Sequence, residues 1–171
     1  MRMLITAAAL LALAALAAPP AAGAATGSAT TATADAAQTA AAARIGDDYP
    51  YKNDSWENPD PWNFYKRECT SSAAWRLRQS GVPFHNHYKT HWGNANHWDD
   101  AARAVGIRVD DTPTVGSIAQ WNSGKFGHVA YVAEVANGQV LLEEYNYRGS
   151  HAYGTRRLSA SSVENYLHIA R

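Results

Sequence analysis

The stretch GHVAYVAEVANGQVLLEEYNY, residues 127–147, decides how this chain folds. Apolar and polar residues alternate through "GHVAYVAEV" and again through "QVLLEEYNY", the period of half-buried strands. Asn137-Gly138 between them marks a hairpin. A two-residue turn there would pair Ala136 with Gln139. Side chains alternate faces along a strand, so this register sets His128 on the opposite face from Glu144 and Asn146. A three-residue loop, Ala136-Asn137-Gly138 with Gly138 in a left-handed bulge position, pairs Val135 with Gln139 instead. His128 then stands opposite Asn146, with Glu144 one step along on the same face. A slip of one residue turns every side chain over. Joint action of His128, Glu144 and Asn146 therefore requires the three-residue loop or a bulge elsewhere in the ladder. One or the other of these two devices is the sharpest structural expectation.

Upstream the period changes. Cys69, Ala73 and Leu77 recur at helical spacing, which predicts a helix over Cys69–Ser80, closed by Gly81 and Pro83. In "NHWDDAARAVG", Trp98, Ala101, Ala102 and Val105 form a second helical stripe, with Asn94 or Asn96 as cap and Gly106 as stop. "DDTPTVG" reads as a turn. "SIAQW", "AYGTRRL" and "YLHIA" complete the strands around the hairpin. Helices first and strands after predict an α+β domain with N-terminal helices packed on an antiparallel β-sheet.

The flanks bound the domain. Residues 1–24 carry Arg2, a short Leu/Ala run and the small-residue pattern Ala22-Gly23-Ala24. This is the pattern of a signal peptide cut after Ala24, too short for a membrane span. Residues 25–44 are almost wholly Ala, Thr, Ser and Gly, and read as a flexible leader. All six Trp and nine Tyr lie beyond, in residues 45–171, which are long enough for one domain. Taking Arg2 and Arg44 from 15 basic residues, and Asp35 from 15 acidic ones, leaves a net charge near −1. That balance carries no footprint for nucleic acid. The mature protein is expected as a secreted or wall-associated monomer without a membrane span.

Cys69 is the one cysteine. Exported proteins use cysteine mostly for disulfides, so an unpartnered thiol points to reactivity. It falls in the first turn of the predicted helix, where free amides and the helix dipole favour a thiolate. A helix-start Cys, a strand His and polar residues on the next strand supply nucleophile, base and orienter, with no metal or organic cofactor.

"RECTSSAAWRL", "GNANHWDDAARAVGI", "PTVGSIAQW", "GHVAYVAEV" and "LLEEYNY" together resemble, in this order, the CHAP domains, the cysteine, histidine-dependent amidohydrolase/peptidase family. The resemblance runs from about Tyr49 to the C-terminus. It implies a papain-like fold and cleavage of peptidoglycan amide bonds, either by an N-acetylmuramoyl-L-alanine amidase or by an endopeptidase. By motif position Cys69 would be the nucleophile, His128 the base, Glu144 its orienter, and Asn146 an assistant in that role. The Cys69 amide would donate to the oxyanion. An inactive wall-binding module of the same fold is the alternative.

Other polar clusters are weaker. Some family members hold calcium through acidic residues ahead of the Cys, but the spacing of Asp47, Asp48 and Asp54 does not make a site. His85, His87, His91 and His97 match no closed zinc pattern. Trp121 and Trp92 are the expected substrate-binding aromatics, and Trp98 a packing residue. Glu143 reads as a solvated neighbour of Glu144.

Overall fold

The computed structural model describes residues 45–170; the expected signal peptide and leader lie outside them. The elements are α1 (Cys69–Gln79), a 3-10 turn (Ala95–His97), α2 (Trp98–Ala104), β1 (Val109–Asp110), β2 (Ile118–Trp121), β3 (His128–Ala136), β4 (Gln139–Tyr145), β5 (Tyr153–Ser159) and β6 (Asn165–Leu167). The strands form one six-stranded antiparallel sheet in the order β1-β6-β2-β3-β4-β5. The fold is α+β, as the period change from helix to strand requires. The second helix begins with the 3-10 turn, and no side chain caps it. β1 lies in what reads as a connection: two residues are too few to carry a period. Among the described residues no helix is long and apolar enough to cross a membrane.

The hairpin takes the second of the two expected forms, a two-residue turn with a bulge in the ladder. Ala136 pairs with Gln139, so the turn has two residues, Asn137 and Gly138, at φ 52° and 72°. Two successive positive-φ residues give the turn whose twist matches the strands. The register then shifts between Val132 and Glu134, where Ala133 is the extra residue of a β-bulge. Beyond the bulge Val132 pairs with Leu142 and Tyr131 with Glu143. Continued to the strand end, this register sets His128 opposite Asn146. The bulge, one of the two expected devices, thus delivers this facing.

Two apolar layers hold the sheet. On the α1 side, Ala73, Ala74 and Leu77 pack with Val129, Tyr131, Ala133 and Tyr145. Phe64, Phe84, Trp92 and Trp98 join the same cluster, all with ring centroids within 6.2 Å of Phe84. Burying each of these large rings contributes about 2–3 kcal/mol. The other face buries Ala119, Ala130, Val132, Val140, Leu142 and Tyr166.

The long lead-in is pinned from beneath. Asp60 Oδ1 accepts the Trp62 and Phe64 amides at 2.7 and 3.1 Å, and its Oδ2 accepts the Ser71 hydroxyl of α1. Ser71 also meets the Tyr49 hydroxyl at 2.5 Å. Burial raises the Asp60 carboxyl above its ordinary range despite these donors. This network fixes the first turn of α1 against the loop that forms one wall of the cleft described below.

Candidate active site

Cys69 opens α1 and is partly exposed. Arg67 enters the left-handed region at φ 59°, with its Nε donating to the His151 carbonyl at 2.8 Å. Glu68 follows in extended conformation, and no side chain caps the helix. The first-turn amides therefore have no intrahelical acceptor and remain donors for an anion at Cys69.

His128 begins β3. Its Nε2 lies 2.8 Å from Glu144 Oε2, which leaves Nδ1 for another partner, and the Cys69 thiol is near enough to act on the ring. Burial lowers the imidazole pKa, but the bonds to Cys69 and Glu144 outweigh it and raise the group to about 9. Glu144 is 2 % exposed. Burial alone would raise its pKa; the hydrogen bonds from His128 and Arg156 overcome this and hold it below the usual carboxylate range. The result is a row in which Glu144 holds both His128 and Arg156, with Cys69 beside the imidazole.

Asn146 stands apart from that row. It follows β4 in the left-handed region at φ 56°. Its Nδ2 donates to Glu68 Oε2 at 2.6 Å and its Oδ1 accepts the His151 amide at 2.8 Å. Both amide ends thus have partners other than the imidazole, and Asn146 ties the residue before Cys69 to the 146–151 loop.

A cleft of about 520 Å³ opens beside Cys69, walled by Trp56, Tyr65, Asn86, Phe126, Asn146 and His151 among others. Trp56 stacks on His151 with centroids 4.4 Å apart. Asn86 braces two walls, donating to the Asn63 carbonyl at 2.9 Å and accepting the Gly93 amide at 2.7 Å. Gly127 sets the entry to β3. A Cβ there would come 2.5 Å from the Asn96 nitrogen and 2.6 Å from the Trp121 oxygen, so only glycine allows the 3-10 turn to dock.

Neither expected substrate-binding tryptophan lines this cleft. Trp92 is fully buried, its Nε1 donating to the Tyr88 carbonyl at 2.7 Å, and it belongs to the aromatic core. Trp121 pairs with His128 across the strands and packs ring to ring with it at 5.8 Å. The aromatic rim is instead Trp56, Tyr65 and Phe126, which are 44 %, 60 % and 55 % exposed. Large exposed aromatics leave no periodic signal in irregular loops. Arg156 was also not singled out; it sits in the weakest strand, whose register against β4 sequence alone does not fix.

Glu143 is not solvated. It is 2 % exposed, and its Oε1 accepts from Arg76 at 2.7 Å, Tyr153 at 2.8 Å and the Gly46 amide at 3.0 Å. The lead-in aspartates have protein partners of their own: Asp47 takes the Tyr145 hydroxyl, Asp48 pairs with Arg76, and Asp54 with Lys66. Among the described residues no three His, Cys, Asp or Glu side chains converge as a metal site, the histidines at 85–97 included.

The family model for the CHAP domain matches residues 59–146, about half of the chain and the whole span from Asp60 to the Cys69, His128 and Glu144 positions. The chain belongs to the CHAP domain family. Among similar proteins, N-acetylmuramoyl-L-alanine amidase sle1 of Staphylococcus haemolyticus (strain JCSC1435) is 41% identical over 104 residues, 60% of this chain and 30% of that protein. The protein of the same name from Staphylococcus aureus (strain USA300) is 48% identical over 82 residues, 47% of this chain and 25% of that one. This CHAP domain thus spans under a third of the relatives' length. The crystal structure of an N-acetylmuramoyl-L-alanine amidase from Staphylococcus aureus shares the fold, with a TM-score of 0.54 at 22% identity, covering 73% of this chain and 38% of that one.

Proposed function

We propose that this CHAP domain is a cysteine hydrolase that cleaves amide bonds of bacterial peptidoglycan, in the manner of an N-acetylmuramoyl-L-alanine amidase. The observation that carries the reading is the His128–Glu144 hydrogen bond beside Cys69, which stands at a helix start and lines a cleft. The names of the similar proteins support the substrate. The signal-peptide pattern in residues 1–24 supports action outside the cell.

In this mechanism the Cys69 sulfur, its proton passed to His128, attacks the amide carbon. The carbonyl electron pair moves to oxygen, and the Cys69 amide at the helix start stabilises that oxyanion. Collapse expels the amine, which takes the proton held by His128, and leaves a thioester. Water, deprotonated by His128, attacks the thioester; the released acid frees the sulfur. Glu144 holds the ring so that one nitrogen faces the sulfur throughout.

Mass spectrometry of muropeptides after digestion of purified walls tests the reading. New lactyl carboxylates paired with free L-alanine amines are expected. New termini confined to the peptide would make the protein an endopeptidase, and wall binding with no new termini would leave a binding module.

The imidazole also sets a pH limit. The leaving amine needs imidazolium, and the raised pKa keeps His128 charged up to about pH 9. The expected profile of kcat/KM loses activity as pH rises through that value. In Glu144→Gln a contribution that raises the pKa disappears, so the alkaline limb shifts to lower pH. A limb unmoved in that variant would separate Glu144 from the imidazole.

A further inference from the structure

Arg156 lies beyond the imidazole and carboxylate, on β5. Its Nε meets Glu144 Oε1 at 2.5 Å and an Nη meets Glu144 Oε2 at 3.0 Å, a two-pronged grip that a planar guanidinium suits and an ammonium does not. The guanidinium carbon lies 3.8 Å from the Tyr147 ring centroid and 5.3 Å from that of Trp121. Trp121 is itself anchored by its Nε1 on the Ser162 carbonyl at 2.9 Å. Both rings also pack on His128, at 5.8 and 5.6 Å. The same two aromatics therefore border the guanidinium and the imidazole.

We propose that Arg156 is a positioning residue for the reaction: it fixes the Glu144 carboxylate so that one oxygen is held on His128. Oε1 has Arg156 as its partner, whereas Oε2 is shared between Arg156 and His128. Remove the guanidinium, and a carboxylate 2 % exposed keeps, among the described residues, only the imidazole as a side-chain donor. A buried carboxylate so poorly matched rotates or takes up a proton. Either change withdraws support from the imidazolium. In the active form thiolate, imidazolium, carboxylate and guanidinium would alternate in sign, and Arg156 closes that series.

The inference rests on the reading of Cys69 and His128 as the reactive pair, so its test has one readout with substrate and one without. Arg156→Met and Arg156→Lys, made in the full chain, are compared with wild type for kcat and KM on purified walls. The pH dependence of Cys69 alkylation by iodoacetamide is followed in parallel, and thermal unfolding checks the fold. The groups facing Glu144 are His128 from β3 and Arg156 from β5, with Tyr147 beside both.

Arg156→Met is expected to lower kcat on the order of tenfold or more with KM little changed. Its acid inflection of alkylation should rise by about one pH unit, because Glu144 without its guanidinium protonates earlier. Arg156→Lys should restore the inflection, through its charge, but not the full kcat, because it lacks the fork. A folded Arg156→Met with wild-type kcat and an unmoved inflection overturns the proposal. So does a loss of kcat that merely tracks the folded fraction. If Arg156→Met does not fold, Arg156→Lys decides: full kcat there overturns the role of the fork. Wild-type protein that shows the alkylation profile yet releases no amine would sink the hydrolase reading and leave the Arg156 result standing.

Discussion

Cys69→Ala is expected to lower muropeptide release by roughly 10⁴-fold or more while leaving the fold in place. The size follows from chemistry: without sulfur no thioester forms, and only cleft binding and the first-turn amides remain. The fold survives because Cys69 is partly exposed and only packs against the edge of the core. The change deletes one atom and breaks no buried ion pair. Purified walls digested with the variant, with new amines quantified, give the test, and unfolding in urea gives the control. Undiminished release from a folded variant would remove Cys69 as the nucleophile.

The largest expected effect on stability lies away from the sulfur. Arg76 is 4 % exposed and its Nη2 lies 2.7 Å from Glu143 Oε1, with the Gly46 carbonyl at 2.8 Å. This pair joins α1 to β4 and draws the lead-in onto both. Arg76→Leu leaves Glu143 buried without its cation, a change that costs about 3–5 kcal/mol. The paired variant Arg76→Leu with Glu143→Leu should recover part of that loss, since it removes the unpaired buried charge but leaves the Tyr153 hydroxyl and the Gly46 amide and carbonyl without these partners. Urea unfolding of wild type, single and double variants closes the cycle. A single variant as stable as wild type would mean that the buried pair does not tie the layers together.

Much of this architecture was legible as pattern. Helical spacing at Cys69, Ala73 and Leu77 located α1, and alternation located the hairpin strands. Facing is a parity condition, so a one-residue offset between the turn and the His128 end is required, and the ladder supplies it. Which of the two devices supplies it was not legible, since Ala133 carries no turn signal. The family resemblance supplied the CHAP fold and pointed to Cys69, His128 and Glu144. What pattern could not supply was partnership across distance. Glu143 reads as surface, because burial of a charge depends on a partner, here Arg76, 67 residues away. Trp92 read as a cleft aromatic for the same reason: whether an indole faces solvent is decided by Phe84 and Trp98 against it. Arg156 was hidden by its strand, where half-buried residues alternate with exposed ones and nothing apolar marks the inner face.

The bulge at Ala133 has a genetic consequence. Loss of that single codon, in frame, would keep every side chain of the row, the turn dipeptide and the hydropathy of both strands. It would nevertheless offset the imidazole end of the hairpin by one residue, turning His128 over relative to Glu144. A scan for damaging lesions should therefore find a null allele at an unremarkable alanine, far along the chain from the sulfur, and a compensating one-residue deletion in the facing strand should be among its suppressors.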